Sequence, residues 1–282
     1  MAKTKELTEE LTEMLRELHL PTVRTEFEEA ARLAESQSIS YEQYLCELAR
    51  RECEERRVNR IARLLRQSKI PPEKTLEAFE MTRLPRKVSR QVKTLIGGDF
   101  LDRAENVLVF GRSGTGKTHL LCGLGQELIR QGRKVHFTTC SLLVQELLIA
   151  KRDLKLSRVI RRYAKCDALI IDDIGYVQQT REEMEVLFTL LAERYERGSV
   201  LLTSNLPFSK WEQIFKDPMT TAAAIDRLVH HSVILELNVN SYRLAAAKDR
   251  SETEQTTEDA NEKSPEKPSP KGRGRKTSTT KK

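Results

Sequence analysis

The chain has 282 residues, 32% of them charged and 38% hydrophobic, with a net charge of +7. That length suits one sizeable α/β domain with a smaller one beside it. No apolar run approaches a membrane span, and the basic balance favours a polyanionic partner, nucleic acid before anionic membrane, over an acidic one.

Residues 1–80 read as almost wholly helical. Leu7, Leu11, Met14, Leu15 and Leu18 recur at three- and four-residue spacing, which places them on one helix face. Pro21 interrupts, and Val23, Phe27, Ala30, Ala31 and Ala34 resume the period. After the break at Ser38-Ile39-Ser40, Ser40 with Gln43 three residues on reads as a capping box. The helix that follows carries Arg50, Arg51, Arg56, Arg57, Arg60, Arg63 and Arg66 around an apolar stripe of Val58, Ile61, Leu64 and Leu65. Two readings stand side by side. The arginines can face the phosphates of duplex DNA, or they can pair with Glu47, Glu52, Glu54 and Glu55 on a solvated face. Pro71-Pro72 ends the helix.

Residues 81–104 read as a connector with further cations, Arg83, Arg86, Lys87, Arg90 and Lys93, and a turn at Gly97-Gly98. Linker residues ahead of the next strand are expected near a nucleotide base. The pattern then becomes strand, helix, strand, helix over residues 105–248. Val107–Phe110 is an apolar run, followed by Gly111-Arg112-Ser113-Gly114-Thr115-Gly116-Lys117-Thr118 and the helical His119-Leu120-Leu121. The spacing G-x-x-x-x-G-K-[ST] between strand and helix is a phosphate-binding P-loop. Its glycines let backbone N–H groups converge on one anion, and the helix N-terminus adds the positive end of its dipole. Lys117 is placed for the β- and γ-phosphates of ATP, and Thr118 for Mg²⁺. Further strands are predicted at 135–138, 168–171, 200–203 and 233–235. Continuous apolar runs such as Ala168-Leu169-Ile170-Ile171 mark strands of a parallel sheet covered on both faces. Ser141 is the predicted cap of a helix over 142–150. Lys151, Arg152, Lys155, Arg158, Arg161 and Arg162 form a second basic cluster.

Residues 249–282 lose their apolar content. They are first acidic, then basic, and are expected to be disordered. Cys46, Cys53, Cys122, Cys140 and Cys166 are scattered without a C-x-x-C pair, which reads as free thiols. His230-His231 stands without helical metal spacing, so no structural metal is expected. The first residues lack the apolar core of a signal peptide, and a cytoplasmic location is expected.

Carboxylates at strand ends are the catalytic candidates. Asp172-Asp173 closes the 168–171 run at the sheet edge where α/β folds bind ligands. Asp172 can hold Mg²⁺ beside Thr118, and Asp173 can polarise the attacking water or, alternatively, cap the turn before Gly175. Asn205, in Thr203-Ser204-Asn205, can orient that water near the γ-phosphate. Arg227, in Asp226-Arg227-Leu228, and Arg243 are candidates to stabilise phosphoryl charge, Arg227 from a neighbouring subunit.

The P-loop, Leu169-Ile170-Ile171-Asp172-Asp173-Ile174-Gly175-Tyr176, Leu202-Thr203-Ser204-Asn205-Leu206-Pro207 and Asp226-Arg227-Leu228-Val229-His230-His231 occur in that order behind Leu15-Arg16-Glu17-Leu18-His19-Leu20-Pro21. Together they resemble the IstB-like helper ATPases of bacterial insertion sequences, AAA+ proteins similar to the replicative helicase loader. The resemblance spans residues 7 to about 248. It implies a P-loop AAA+ parallel sheet flanked by helices behind a small all-helical N-terminal domain. It also implies ATP-dependent assembly into a homo-oligomer on duplex DNA and cooperation with a cognate transposase. In its terms Gly111 to Thr118 match Walker A, Asp172-Asp173 Walker B, Asn205 sensor 1, Arg227 the arginine finger and Arg243 sensor 2. The second Walker B acid is Asp, a shorter side chain than the Glu of many AAA+ proteins. The rival functions are a helicase loader and, from another class, a small-molecule kinase.

Overall fold

A computed structural model describes residues 2–175, 180–211, 218–239 and 241–242. Arg243 and the charged tail from 249 lie outside the described residues.

The described strands form one parallel sheet in the order β2-β3-β4-β1-β5. They are β1 (Asn106–Gly111), β2 (Val135–Thr139), β3 (Ala168–Ile174), β4 (Ser199–Ser204) and β5 (Ser232–Leu237). All four pairings are parallel, and Val107 faces both Leu201 and Val233 in register. The continuous apolar runs are explained by the two cores. Val107, Val109, Ile170 and Leu201 point to one face, Leu108, Phe110, Ile171 and Leu202 to the other, and each set is covered by helices. One cover is α6 (Lys117–Arg130) with α4 (Arg86–Ile96) and the end of α3 (Tyr41–Ser68). The other comprises α7 (Cys140–Arg152), α8 (Leu156–Ala164), α9 (Arg181–Arg194) and α10 (Pro218–Val229).

The connector holds a full helix, α4, because Val88, Val92 and Leu95 form a buried stripe against the first core. A one-turn helix, α5 (Asp99–Asp102), follows Gly98 and seats Phe100 and Leu101 in the same core. Ile70 and Phe79 also join it, so the packing around the sheet reaches back before residue 80.

Arg194 pins the turn between α9 and β4. Its guanidinium is fully buried and donates to the carbonyls of Tyr163 at 2.7 Å, Cys166 at 3.1 Å and Ser199 at 2.8 Å. Burial pulls it down to about 10. A Cβ on Gly198 would lie 2.7 Å from its Nη2, so any larger residue there must displace the guanidinium.

The N-terminal helix α1 (Ala2–Glu17) packs on α2 (Pro21–Ser36), and α2 packs on α3 through a polar joint. Glu52 of α3 is buried and accepts from the Thr22 and Val23 amides at 2.9 and 3.2 Å, the open N-terminus of α2, and from Arg56 at 2.7 Å. Ser40 and Gln43 form the expected capping box on α3. The α7 cap differs from expectation. Thr139, the last residue of β2, accepts from Leu142 N–H, and Ser141 sits inside the helix. The apolar face of α1 is covered only in part: Leu15 is buried, while Leu7 is 62% exposed, as is Leu18 just beyond the helix at 66%. No helix among the described residues is long and apolar enough to cross a membrane.

Candidate nucleotide-binding site

The site lies at the C-terminal ends of β1, β3 and β4, where the strands deliver polar residues from a buried frame. Gly111 leaves β1 with its Cα so close to β5 that a Cβ would meet the Leu237 carbonyl at 2.7 Å. Gly116 caps α6 at φ 87°, and a Cβ there would lie 2.9 Å from the Phe79 ring. Between them, Thr115 is buried and its hydroxyl donates to Arg112 O at 2.9 Å, which holds the loop closed. Arg112 and Ser113 are exposed at the rim.

Lys117 opens α6 with its ammonium turned back over the loop. It donates to the carbonyls of Gly111 and Arg112, each at 2.9 Å, and closely to Asn205 Oδ1. The lysine has only donors, so it fixes the carboxamide orientation of Asn205. Asn205 Nδ2 then donates to Asp173 Oδ1 at 2.9 Å. Thr118 donates to Asp172 at 2.8 Å, and Thr203 donates to the same carboxylate oxygen at 2.7 Å. The Asp173 amide closes the ring by donating to Thr203 Oγ1 at 2.7 Å. Asp173 itself is left-handed, φ 64°, where the β3–β4 register shifts between Ile171 and Ile174. That break turns consecutive aspartates to different partners, Asp172 to Thr118 and Asp173 to Asn205.

These groups share a cavity of about 580 Å³ with Ser113, Gly114, Phe79 and Tyr242, within the usual size range of small-molecule sites. Its aromatic part comes from distant segments. Phe79 meets His119 edge-on at 5.4 Å and Tyr242 at 6.1 Å between centroids. Tyr242 donates from its backbone to Gly114 O at 2.9 Å and lies under Arg83 at 4.5 Å. Polar donors beside flat ring faces are the complement of a nucleotide: phosphates at the loop, a base against the rings. Thr203, Phe79, His119 and Tyr242 are absent from the sequence-derived site set. Thr203 had a signal in its place beside Asn205 at the end of an apolar run, and Phe79 lies in the linker stretch after Pro71-Pro72, residues 73–104, expected near the base.

Arg227 is not in this cavity. It lies on α10 with its guanidinium 4.3 Å over the Phe188 ring, and its Nη1 is buried without a hydrogen-bond partner. The α3 arginines largely take the paired reading. Arg50, Arg51, Arg56 and Arg57 each meet a glutamate, and Arg60 donates to Gly132 O. Arg63 and Arg66 of α3 are exposed with no ion pair among the described residues, as are Arg86, Lys87, Arg90 and Lys93 of α4 and Arg158 and Arg161 of α8.

A family model for the IstB-like ATP binding protein matches residues 13–251. The chain belongs to the IstB-like ATP-binding family. This IstB-like chain is 42% identical over 235 residues to an insertion sequence ATP-binding protein of Sinorhizobium fredii, covering 83% of the chain and 79% of that protein. It is 37% identical over 238 residues to an insertion sequence ATP-binding protein of Geobacillus stearothermophilus, covering 84% and 95%. Among solved structures, the DnaC helicase loader superposes with TM-score 0.52 at 12% identity, over 60% of this chain and 98% of that one. DnaI gives 0.50 at 19%, over 60% and 94%. At such identities the likeness is one of fold, the AAA+ P-loop sheet with flanking helices.

Proposed function

We propose that the chain hydrolyses ATP, assembles in several copies on duplex DNA, and there assists the transposase of its insertion sequence. The observation that carries the enzymatic part is the closed set of contacts joining Lys117, Asn205 and Asp173 to Thr118, Asp172 and Thr203. It gathers a phosphate-binding cation, oxygen ligands and a carboxylate base at one strand edge. The Thr118 hydroxyl and Asp172 carboxylate are in contact and offer only oxygen, which fits Mg²⁺. When bound there, Mg²⁺ neutralises charge on the phosphates. The P-loop amides from Gly111 to Thr118 and the Lys117 ammonium hold the triphosphate. Asp173, oriented by Asn205, takes the proton of the attacking water, and Asn205 positions that water. Phe79 and Tyr242 take the base.

The cations of α4 and α8 that lack acidic partners support a phosphate-contacting surface, and the relatives' tie to insertion sequences supports a role in transposition. Arg227, remote from the chain's own cavity, serves a neighbouring subunit's γ-phosphate. Arg243 is assigned to the same site from the resemblance alone.

The test is steady-state ATP turnover with and without duplex DNA, on wild type and Lys117→Ala, with co-precipitation of the cognate transposase against the replicative helicase. We expect DNA-stimulated turnover, its loss together with ATP binding in Lys117→Ala, and capture of the transposase. Undiminished ATP affinity in the variant would remove the P-loop assignment. Capture of the helicase alone would make the chain a loader.

A further inference from the structure

We propose that Glu196, His230 and His231 form a divalent-metal site, of zinc type by its ligands, at the sheet end opposite the P-loop. One ligand atom from each of these residues lies within 4.8 Å of the others. Two imidazoles and a carboxylate are the donor set of three-ligand zinc centres, which leave a fourth position to water. A tetrahedral zinc with bonds of about 2.0–2.1 Å separates its ligands by roughly 3.3–3.5 Å. His231 Nε2 and Glu196 Oε1 stand 3.9 Å apart, too far for a hydrogen bond and close to that span. All three side chains are exposed.

The backbone under the cluster is held from both sides. Glu196 sits in a left-handed turn, φ 56°, anchored by Arg197 and Gly198 amides donating to Arg194 O, each at 3.0 Å. Arg194 is in turn fixed by its buried carbonyl contacts. On the other strand end, His231 O accepts from Asn106 N–H at 2.7 Å, and His230 N–H donates to Asp226 O at 2.9 Å. The His230 ring is oriented by Tyr195, whose hydroxyl lies 3.1 Å from Nδ1. An outer partner of this kind fixes ring orientation at metal-binding histidines. A bound ion would cross-link the α9–β4 turn to the end of α10, the helix that carries Arg227. The site needs no nucleotide and stands independently of the proposed function.

The test titrates the chelator-dialysed full chain with Co²⁺, read by visible absorption, and then displaces it with Zn²⁺. One equivalent of Co²⁺ should bind without the near-ultraviolet thiolate band that cysteine ligation would give. Glu196→Gln, His230→Ala and His231→Ala should each weaken Co²⁺ by about tenfold or more, and Zn²⁺ should raise the thermal midpoint of wild type but not of the variants. ATP binding, which these residues do not touch, checks that each variant is folded. No Co²⁺ band in wild type, a thiolate band, or unchanged affinity in Glu196→Gln would each overturn the site.

Discussion

Thr203 shows how one hydroxyl sets the chemistry of two neighbours. It donates to Asp172 and accepts from the Asp173 amide, both at 2.7 Å, while being almost fully buried. Thr203→Val keeps the shape and removes both bonds. Asp172 would then lose one of the hydroxyls that orient it, and the strained turn at Asp173 would lose its anchor. The expected result is a fall in turnover of about 10- to 100-fold with weaker Mg²⁺ dependence, by analogy with the loss of outer-shell partners at metal ligands. Metal-free nucleotide binding, measured by fluorescence, should be unchanged; a loss there would mean that the residue only supports the fold. Lys117 and Thr118 are legible in the sequence because one contiguous motif places them, and Asp172 because it closes a buried apolar run. Thr203 is marked only by its place beside Asn205; its role is not legible, because its partners reach it only through the parallel register of β3 and β4. Phe79 and Tyr242 come from opposite sides of the P-loop in the chain, and no local pattern links them.

Among the elements, α2 and α3 are joined by a carboxylate as much as by apolar contact. Burial alone would raise the Glu52 carboxyl, but Arg56 and the Val23 and Thr22 amides outweigh it and hold the group below its ordinary 4.5. A depressed carboxylate contributes stability that is full above its unfolded value and lost as pH falls through the folded one. The α2–α3 joint should therefore weaken in acid below 4.5. Glu52→Gln should cost roughly 1–3 kcal/mol at neutral pH and flatten the acid limb of a urea-unfolding series. An acid limb identical to wild type would show that other carboxylates carry it. The helical periods and the Ser40 capping box of this region are legible in the sequence. The burial of Glu52 is not, because a glutamate in an arginine-rich helix looks the same whether it caps another helix or faces water. The same ambiguity hides which arginines are free. In α4 the sequence shows cations without acids, yet only packing reveals that its apolar stripe is buried and its charges are exposed.

For the whole molecule the charges divide into paired and unpaired surfaces. Reversing Arg86, Arg90, Arg158 and Arg161 to Glu should weaken DNA binding and flatten its salt dependence, since each phosphate contact adds to the slope. Reversing Arg50 and Arg57, already paired with Glu47 and Glu54, should change the slope little. Equal effects of both sets would return the α3 arginines to the interface.

In the proposed assembly, turnover would depend on Arg227. Within one chain its guanidinium rests on Phe188, outside the cavity that holds Lys117 and Asp173. An arginine that stabilises the transferring phosphoryl group is worth about 10³- to 10⁵-fold in turnover, and in the proposed assembly another copy delivers it. Arg227→Ala should accordingly bind ATP with wild-type affinity yet lose that factor of turnover on DNA. Loss of the ring contact alone would also weaken α10, so a single variant does not decide the matter. A mixture does. Lys117→Ala lacks a phosphate grip but retains its arginine; Arg227→Ala has the reverse defect. In a mixed assembly, some interfaces pair the intact loop of one with the intact arginine of the other, and turnover should recover to a fraction set by random mixing. A chain that uses Arg227 within itself, or only to stabilise its fold, gives no recovery at any ratio.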